Sequence, residues 1–265
     1  CDFSWDAISP AIFGSLFQCV MDPAQRRAQG AHYTTERNIM KVIGPLFLDD
    51  LKTELANLAR RKDQGRRKAI EDFRKRLSQI RLLDPACGCG NFLIIAYREL
   101  RLLEIEALKL LGKDLQLSLE ASQMSNIDVD QFYGIEIGEF PCRIAEVALW
   151  MMDHLMNNRL TIELGRSYLR IPLKKSPHIH CSDALEIDWE DVISPERCTF
   201  ILGNPPFAGS KYQTPEQRLQ VRRIAKLGGR GGSLDYVAAW FIKAGEYLRD
   251  SKARIGFVAT NSLTQ

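Results

Sequence analysis

The 265-residue sequence has no uninterrupted apolar run near the ~20 residues that a bilayer-spanning helix requires. It also shows no charged-then-apolar targeting segment at its start. Histidine is scarce, with four residues that do not cluster. His178 and His180 alternate on one expected strand, but no cysteine or carboxylate pattern completes a metal site around them, and His154 reads as a helix-surface or core residue. The seven cysteines are odd in number and irregularly spaced, which fits reduced thiols and a cytoplasmic protein. Cys87 and Cys89 bracket a glycine without a second pair, so they read as small loop residues, and no metal is expected. Internal repeats, low-complexity tracts and a carboxylate–carboxylate–lysine nuclease motif are all missing. A formal net charge of +3 is too small to argue by itself for nucleic-acid binding.

What is present is a chain with 45% hydrophobic residues, enough for a substantial core. The apolar run Thr199-Phe200-Ile201 reads as a buried parallel strand and leads into Leu202-Gly203-Asn204-Pro205-Pro206-Phe207. The two prolines cannot donate to a sheet ladder, so the strand must end there. That leaves the Asn204 side chain and the Pro205 carbonyl as acceptors beside the Phe207 ring. Two acceptors and a ring can hold a planar group bearing an NH2. The plainer alternative is a Pro-Pro turn with Phe207 returned to the core.

A second motif lies upstream. The strand Ile80–Leu83 is followed by Asp84-Pro85-Ala86-Cys87-Gly88-Cys89-Gly90-Asn91-Phe92 and then by a helical run. Strand, glycine turn and helix form a nucleotide-type loop, in which glycines admit a ligand to the backbone and the helix N-terminus faces it. A dinucleotide fingerprint needs a third glycine and an acidic residue roughly 20 positions on. Leu93 stands at the third position and the next acidic residue closing a strand is Glu136, which argues against a nicotinamide cofactor.

Together these motifs resemble those of the S-adenosylmethionine-dependent amino-methyltransferases of DNA. The resemblance implies that Asp84, Ala86, Gly88 and Gly90 cradle the methionine end of the cofactor. It further implies that Glu136 holds the ribose, that Asp183 in His178–Ala184 binds the adenine, and that Tyr33 and Thr34 touch the cofactor. Ile137 and Ala184 join the same set by position. Asn204, Pro205, Pro206 and Phe207 match the catalytic motif. The Tyr-Thr element precedes the glycine loop and the catalytic motif follows it, which is the gamma arrangement. Gly30–Thr34 and Gly232–Phe241 look closest to long type IIL restriction–modification enzymes and related phage-defence methylases.

The expected fold is α/β: a mostly parallel Rossmann-like sheet with an N-terminal helical segment. Residues 1–79 form that segment and 80–265 the cofactor-binding catalytic domain. Strands are expected near 80–84, 131–136, 177–181, 198–203 and 254–260, with helices near 91–111, 139–157 and 233–250. Ile8, Ile12, Leu16 and Val20 line one face of an early helix. Thr35 is a candidate N-cap for a helix through Ile39, Val42, Ile43 and Leu46, which would hold Thr34 near the glycine loop. A charged helix carries Ile70, Phe73, Leu77 and Ile80, while Glu139 and Asp153 read as helix charge alone. Gly228–Gly232 is expected to be flexible. The sequence opens on Cys1 and stops five residues after the fifth strand. The expectation is a piece of a longer protein; the family resemblance implies a further sheet hairpin and a target-recognition domain in the same chain, and a nuclease as either a domain or a partner.

Two basic stretches, Arg60–Arg76 and Lys211–Arg230, read either as solvated faces or as phosphate contacts. The reaction implied is transfer of a methyl group to an exocyclic amine of a base flipped out of double-stranded DNA. In the family this chain resembles, Asn or Asp at the first motif position goes with adenine and Ser with N4-cytosine, so the resemblance implies adenine N6. Cytosine N4 is the alternative within the class, as is a catalytically silent cofactor-binding module from another. RNA-base and protein-glutamine methyltransferases share the Asn-Pro-Pro motif, but the Tyr-Thr element and the Asp-Pro-Ala-Cys loop favour DNA.

Overall fold

The computed structural model describes residues 34–112, 125–164, 175–226, 234–249 and 251–259. Five strands form one sheet: β1 (Leu82–Asp84), β2 (Phe132–Glu136), β3 (His178–Cys181), β4 (Phe200–Gly203) and β5 (Arg254–Phe257). Their order is β3-β2-β1-β4-β5, and every neighbouring pair is parallel. Leu83 lies opposite both Tyr133 and Ile201. The central strands are apolar up to their carboxyl ends because both faces are covered. Leu82, Phe132, Phe200 and Leu202 enter one core cluster, while their alternates Leu83, Tyr133, Ile135 and Ile201 enter the other. The edge strand β3 is partly exposed and carries the histidines; His178 stacks on Tyr133 with ring centroids 4.5 Å apart.

One face is covered by α1 (Glu36–Ile43), α2 (Asp49–Arg60), α3 (Arg66–Leu77), α4 (Asn91–Leu111) and α5 (Glu139–Leu164). The other is covered by α6 (Pro215–Ala225) and α7 (Ala238–Tyr247). Thr35 stands at the N-cap of α1 through its backbone carbonyl, which accepts from Asn38 and Ile39, with no side-chain capping bond. The helix expected to run on through Leu46 is instead interrupted by a π turn, Gly44–Leu48. Pro45 has no N–H to give the preceding turn, so the bonding widens to Asp49 N–H on Gly44 O before α2 begins. Helix α5 runs past the expected 157 because Leu160 remains buried, and α7 is shorter than expected. Helix α6 was not anticipated. The early helix around Ile8–Val20, the Gly228–Gly232 run and Thr260 lie outside the described residues.

Between α4 and α5 lies a buried polar network. The fully buried Arg101 donates to Asp153 Oδ1 at 3.0 Å, to Tyr97 Oη at 2.7 Å and to Asn157 Oδ1 at 2.8 Å. Tyr97 and Asn157 also donate to Asp153. Asp153 is therefore a buried counter-charge of Arg101, together with Glu104 at 3.6 Å, and more than the helix charge its sequence position suggests. No helix among the described residues is long and apolar enough to cross a membrane.

Candidate active site

The sheet order reverses direction at β1, with β2 and β3 on one side and β4 and β5 on the other. In open α/β sheets the crevice at such a switch point, beyond the carboxyl ends of the strands, is where ligands bind. Asp84 ends β1, Glu136 ends β2, Asp183 follows β3 and Asn204 follows β4. Four polar residues scattered over 120 positions of sequence thus meet along one edge.

The glycine loop is built around these acids. Asp84 is buried and accepts from the Ala86 N–H at 3.0 Å. Burial pushes its carboxyl up to about 8 against that hydrogen bond, and the neighbouring Glu136 adds to the rise. Glu136 accepts from Gly88 N–H at 3.0 Å and from Gly138 N–H at 2.9 Å, and burial also raises its pKa. The two glycines differ in role. Gly88 has φ +54 and open space where a Cβ would stand, whereas a Cβ on Gly90 would lie 3.0 Å from Ala145 on α5. Gly88 leaves room for a ligand; Gly90 allows the helices to pack and opens α4. Cys87 and Cys89 are buried thiols in the loop, with the Cys89 pKa raised by burial to about 12. Among the described residues no group of three or more His, Cys, Asp or Glu could hold a metal ion.

At β4 the Asn204 amide nitrogen donates to Thr34 Oγ1 at 3.0 Å. Thr34 is buried, and helix α1, which begins two residues later, is tied to α4 by an ion pair between Glu36 and Arg98 at 2.6 Å. Pro205 is buried, while Pro206 and Phe207 are half-buried. Ile137 is exposed beside Glu136, and Ala184 is buried beside Asp183. Tyr33 lies outside the described residues.

Residues 59–265 match the family described as MmeI, DNA-methyltransferase domain. The chain belongs to this family. DNA methyltransferase A of Bacillus subtilis (strain 168) is 38% identical over 271 residues, spanning 99% of this chain and 29% of that protein. The solved structure of the type IIL restriction-modification enzyme MmeI in complex with DNA superposes with a TM-score of 0.92 at 50% identity, covering all of this chain and 35% of that one. The DrdV–DNA complex shares the fold at a TM-score of 0.52 and 16% identity, over 96% of this chain and 23% of that one. This chain is accordingly a DNA-methyltransferase domain, about a third or less of the length of these relatives.

Several supports of this candidate site escaped sequence reasoning. Asp183 Oδ1 accepts from Leu185 N–H, and its Oδ2 accepts from Gln220 on α6, both at 2.8 Å. Gln220 accepts in turn from Tyr236 Oη at 2.7 Å. Trp240 donates its indole N–H to Pro85 O at 3.2 Å, fastening α7 to the glycine loop. Helix α6 did carry a readable signal. Thr214 and Gln217 form a reciprocal capping box, with Pro215 at the first helical position.

Proposed function

We propose that this chain transfers a methyl group from S-adenosylmethionine to N6 of an adenine flipped out of double-stranded DNA. Its setting is the modification part of a longer restriction–modification protein with its own target-recognition and nuclease domains. Residues 1–79 act as the segment bearing the Tyr-Thr element and 80–265 as the catalytic domain. The observation that carries the reading is that Asn204 and the glycine loop follow adjacent parallel strands, β4 and β1, and so open onto one crevice.

The residues present fit the cofactor. The open space over Gly88 permits close approach of a ligand to the backbone. Asp84, Glu136 and Asp183 supply acceptors for a molecule that offers ammonium, ribose hydroxyl and adenine amine donors. Glu136 already accepts two backbone N–H groups, yet a carboxylate has about four lone-pair sites, which leaves capacity for hydroxyls. Tyr33, Thr34, Ala86, Gly90, Ile137 and Ala184 complete the proposed cofactor set. When bound, S-adenosylmethionine supplies an electrophilic methyl group on a sulfonium.

The chain's own part in the step is positioning. Asn204 and the Pro205 carbonyl accept the two hydrogens of the target amine, which favours a pyramidal nitrogen with its lone pair toward the methyl. Neither group titrates, so no histidine or carboxylate base is needed, and the proton leaves the methylated amine for water. Good orientation can supply roughly 7–11 kcal/mol of the barrier reduction. Flipping the base costs a few kcal/mol, offset in part by stacking on Phe207 worth about 1–3 kcal/mol.

The test is to incubate the intact enzyme with cofactor and DNA and to identify modified nucleosides by mass spectrometry. N6-methyladenine is expected, and its loss in Asn204→Ala by roughly 100-fold or more, with cofactor binding retained, assigns the amide. N4-methylcytosine would overturn the choice of base; methylated peptide would overturn the choice of DNA.

A further inference from the structure

Immediately beyond Phe207 the chain presents an aromatic ring to solvent on a rigid support. Tyr212 is 86% exposed, the most exposed large apolar side chain among the described residues. Its backbone is nonetheless held. Tyr212 N–H donates to Gly209 O at 2.8 Å, and Tyr236 N–H donates to Ala208 O at 3.0 Å. The next residue, Gln213, is buried, and its amide donates to Ala208 O at 3.2 Å and to Leu234 O at 2.7 Å. A buried glutamine thus clamps the turn from behind while the neighbouring tyrosine projects outward. A single exposed ring is common on protein surfaces; what distinguishes this one is the set of charges around it.

The charges around it sort by partner. Arg223 on α6 and Lys226 at its C-cap are ion-paired to Glu186 and Glu246, and Gln220 bonds Asp183, so that side of the helix is fastened to the domain. Lys211, Arg218 and Arg222 are exposed and make no ion pair among the described residues. Arg218 donates instead to Lys211 O at 3.5 Å, which draws it toward the tyrosine turn. The free face therefore combines unneutralised cations with a ring, the combination that binds phosphates and stacks on bases.

We infer that Tyr212 is a DNA-stacking residue that fills the space beside the flipped base, with Lys211, Arg218 and Arg222 on the flanking phosphates. This rests on the base-flipping reading above. A stacking side chain lowers the cost of extruding the target because the base step it enters does not collapse.

The experiment uses the intact enzyme and a duplex built on a site that the wild type methylates, with 2-aminopurine at the target position. Tyr212→Ala should weaken DNA binding about tenfold or more and diminish the fluorescence rise that reports flipping. Tyr212→Phe and Tyr212→Trp should stay near wild type, because the ring and not the hydroxyl does the work. Cofactor affinity should be the same in all four proteins. An abasic site opposite the target, which makes extrusion easier, should restore most of the loss in Tyr212→Ala. Unchanged DNA affinity and flipping in Tyr212→Ala would overturn the inference, and so would an equal loss in Tyr212→Phe. A lower Tm without DNA, at unchanged DNA affinity, would assign the ring to an intramolecular contact and overturn it too. If the wild type methylates no DNA, the functional proposal fails separately. A Tyr212-dependent affinity for plain duplex still supports the stacking surface, and its absence removes it.

Discussion

Asn204 and Thr34 are joined by a 3.0 Å hydrogen bond across 170 residues of sequence. The Asn204 amide gives its nitrogen end to the Thr34 hydroxyl, which turns the oxygen end toward the other side. A methylation site that relies on an oriented acceptor needs such a constraint, because a carboxamide rotated by half a turn presents donors instead. Thr34→Val keeps the side chain's shape and removes the hydroxyl. Turnover should fall by about tenfold, the worth of one hydrogen bond, with cofactor affinity much less affected, and Thr34→Ser should restore it. Initial rates and cofactor titration on the three proteins make the comparison; equal losses in rate and cofactor affinity would place Thr34 on the cofactor alone.

Glu136→Ala should weaken cofactor binding by roughly 1.5–3 kcal/mol, the range for hydrogen bonds to a charged group. It also removes the acceptor that holds the Gly88 and Gly138 N–H groups, so the glycine loop should lose order at the same time. Isothermal titration reads the first effect and amide exchange at Gly88 the second. Unchanged affinity would remove Glu136 from the cofactor set.

Asp84 sets a pH dependence whose sign follows from its burial. Its carboxyl titrates at about 8 in the fold, against about 3.9 when unfolded. Between these values the folded chain retains a proton that the unfolded chain has released, so stability falls as pH rises from about 4 through about 8. Glu136 is raised as well and acts in the same direction. Thermal unfolding across this range should show a declining Tm, and Asp84→Asn should flatten the decline. A slope unaltered in that variant would trace the effect to other groups.

Gly203→Ala should destabilise the domain by about 1–3 kcal/mol, as overpacking does. Gly203 has φ +150, and an added Cβ would stand 2.4 Å from Asp84 Oδ1. Because Asn204 follows directly, activity should fall further than stability alone accounts for. Denaturant midpoints compared with rates under native conditions separate the two.

Arg101→Ala should cost about 3–5 kcal/mol by leaving Asp153 buried without its counter-charge. Chemical denaturation provides the measurement. A loss below about 1 kcal/mol would mean that water enters and replaces the guanidinium.

The places where strands end in function were legible because buried parallel strands read as short apolar runs, and glycine or proline turns close them. Asp84, Glu136 and Asn204 could be placed at strand ends for that reason alone. Helix α6 and the π turn at Pro45 were equally local and could have been read from Thr214-Pro215 and from the proline itself. Asp153, Gln213 and Gln220 could not, since a polar residue in a helix or turn looks the same whether it faces water or a partner 21 to 52 positions away.

The sequence by itself determined the order of elements, the parallel sheet and the residues at its carboxyl ends, because periodicity and turn chemistry depend on neighbours along the chain. Tertiary structure alone decided that Gly88 faces open space while Gly90 packs on Ala145, that Asn204 meets Thr34, and that Gln220 reaches Asp183. Those facts depend on which face of each helix lands on the sheet. That orientation is set by burying apolar area over the whole core, and no short stretch of sequence records it.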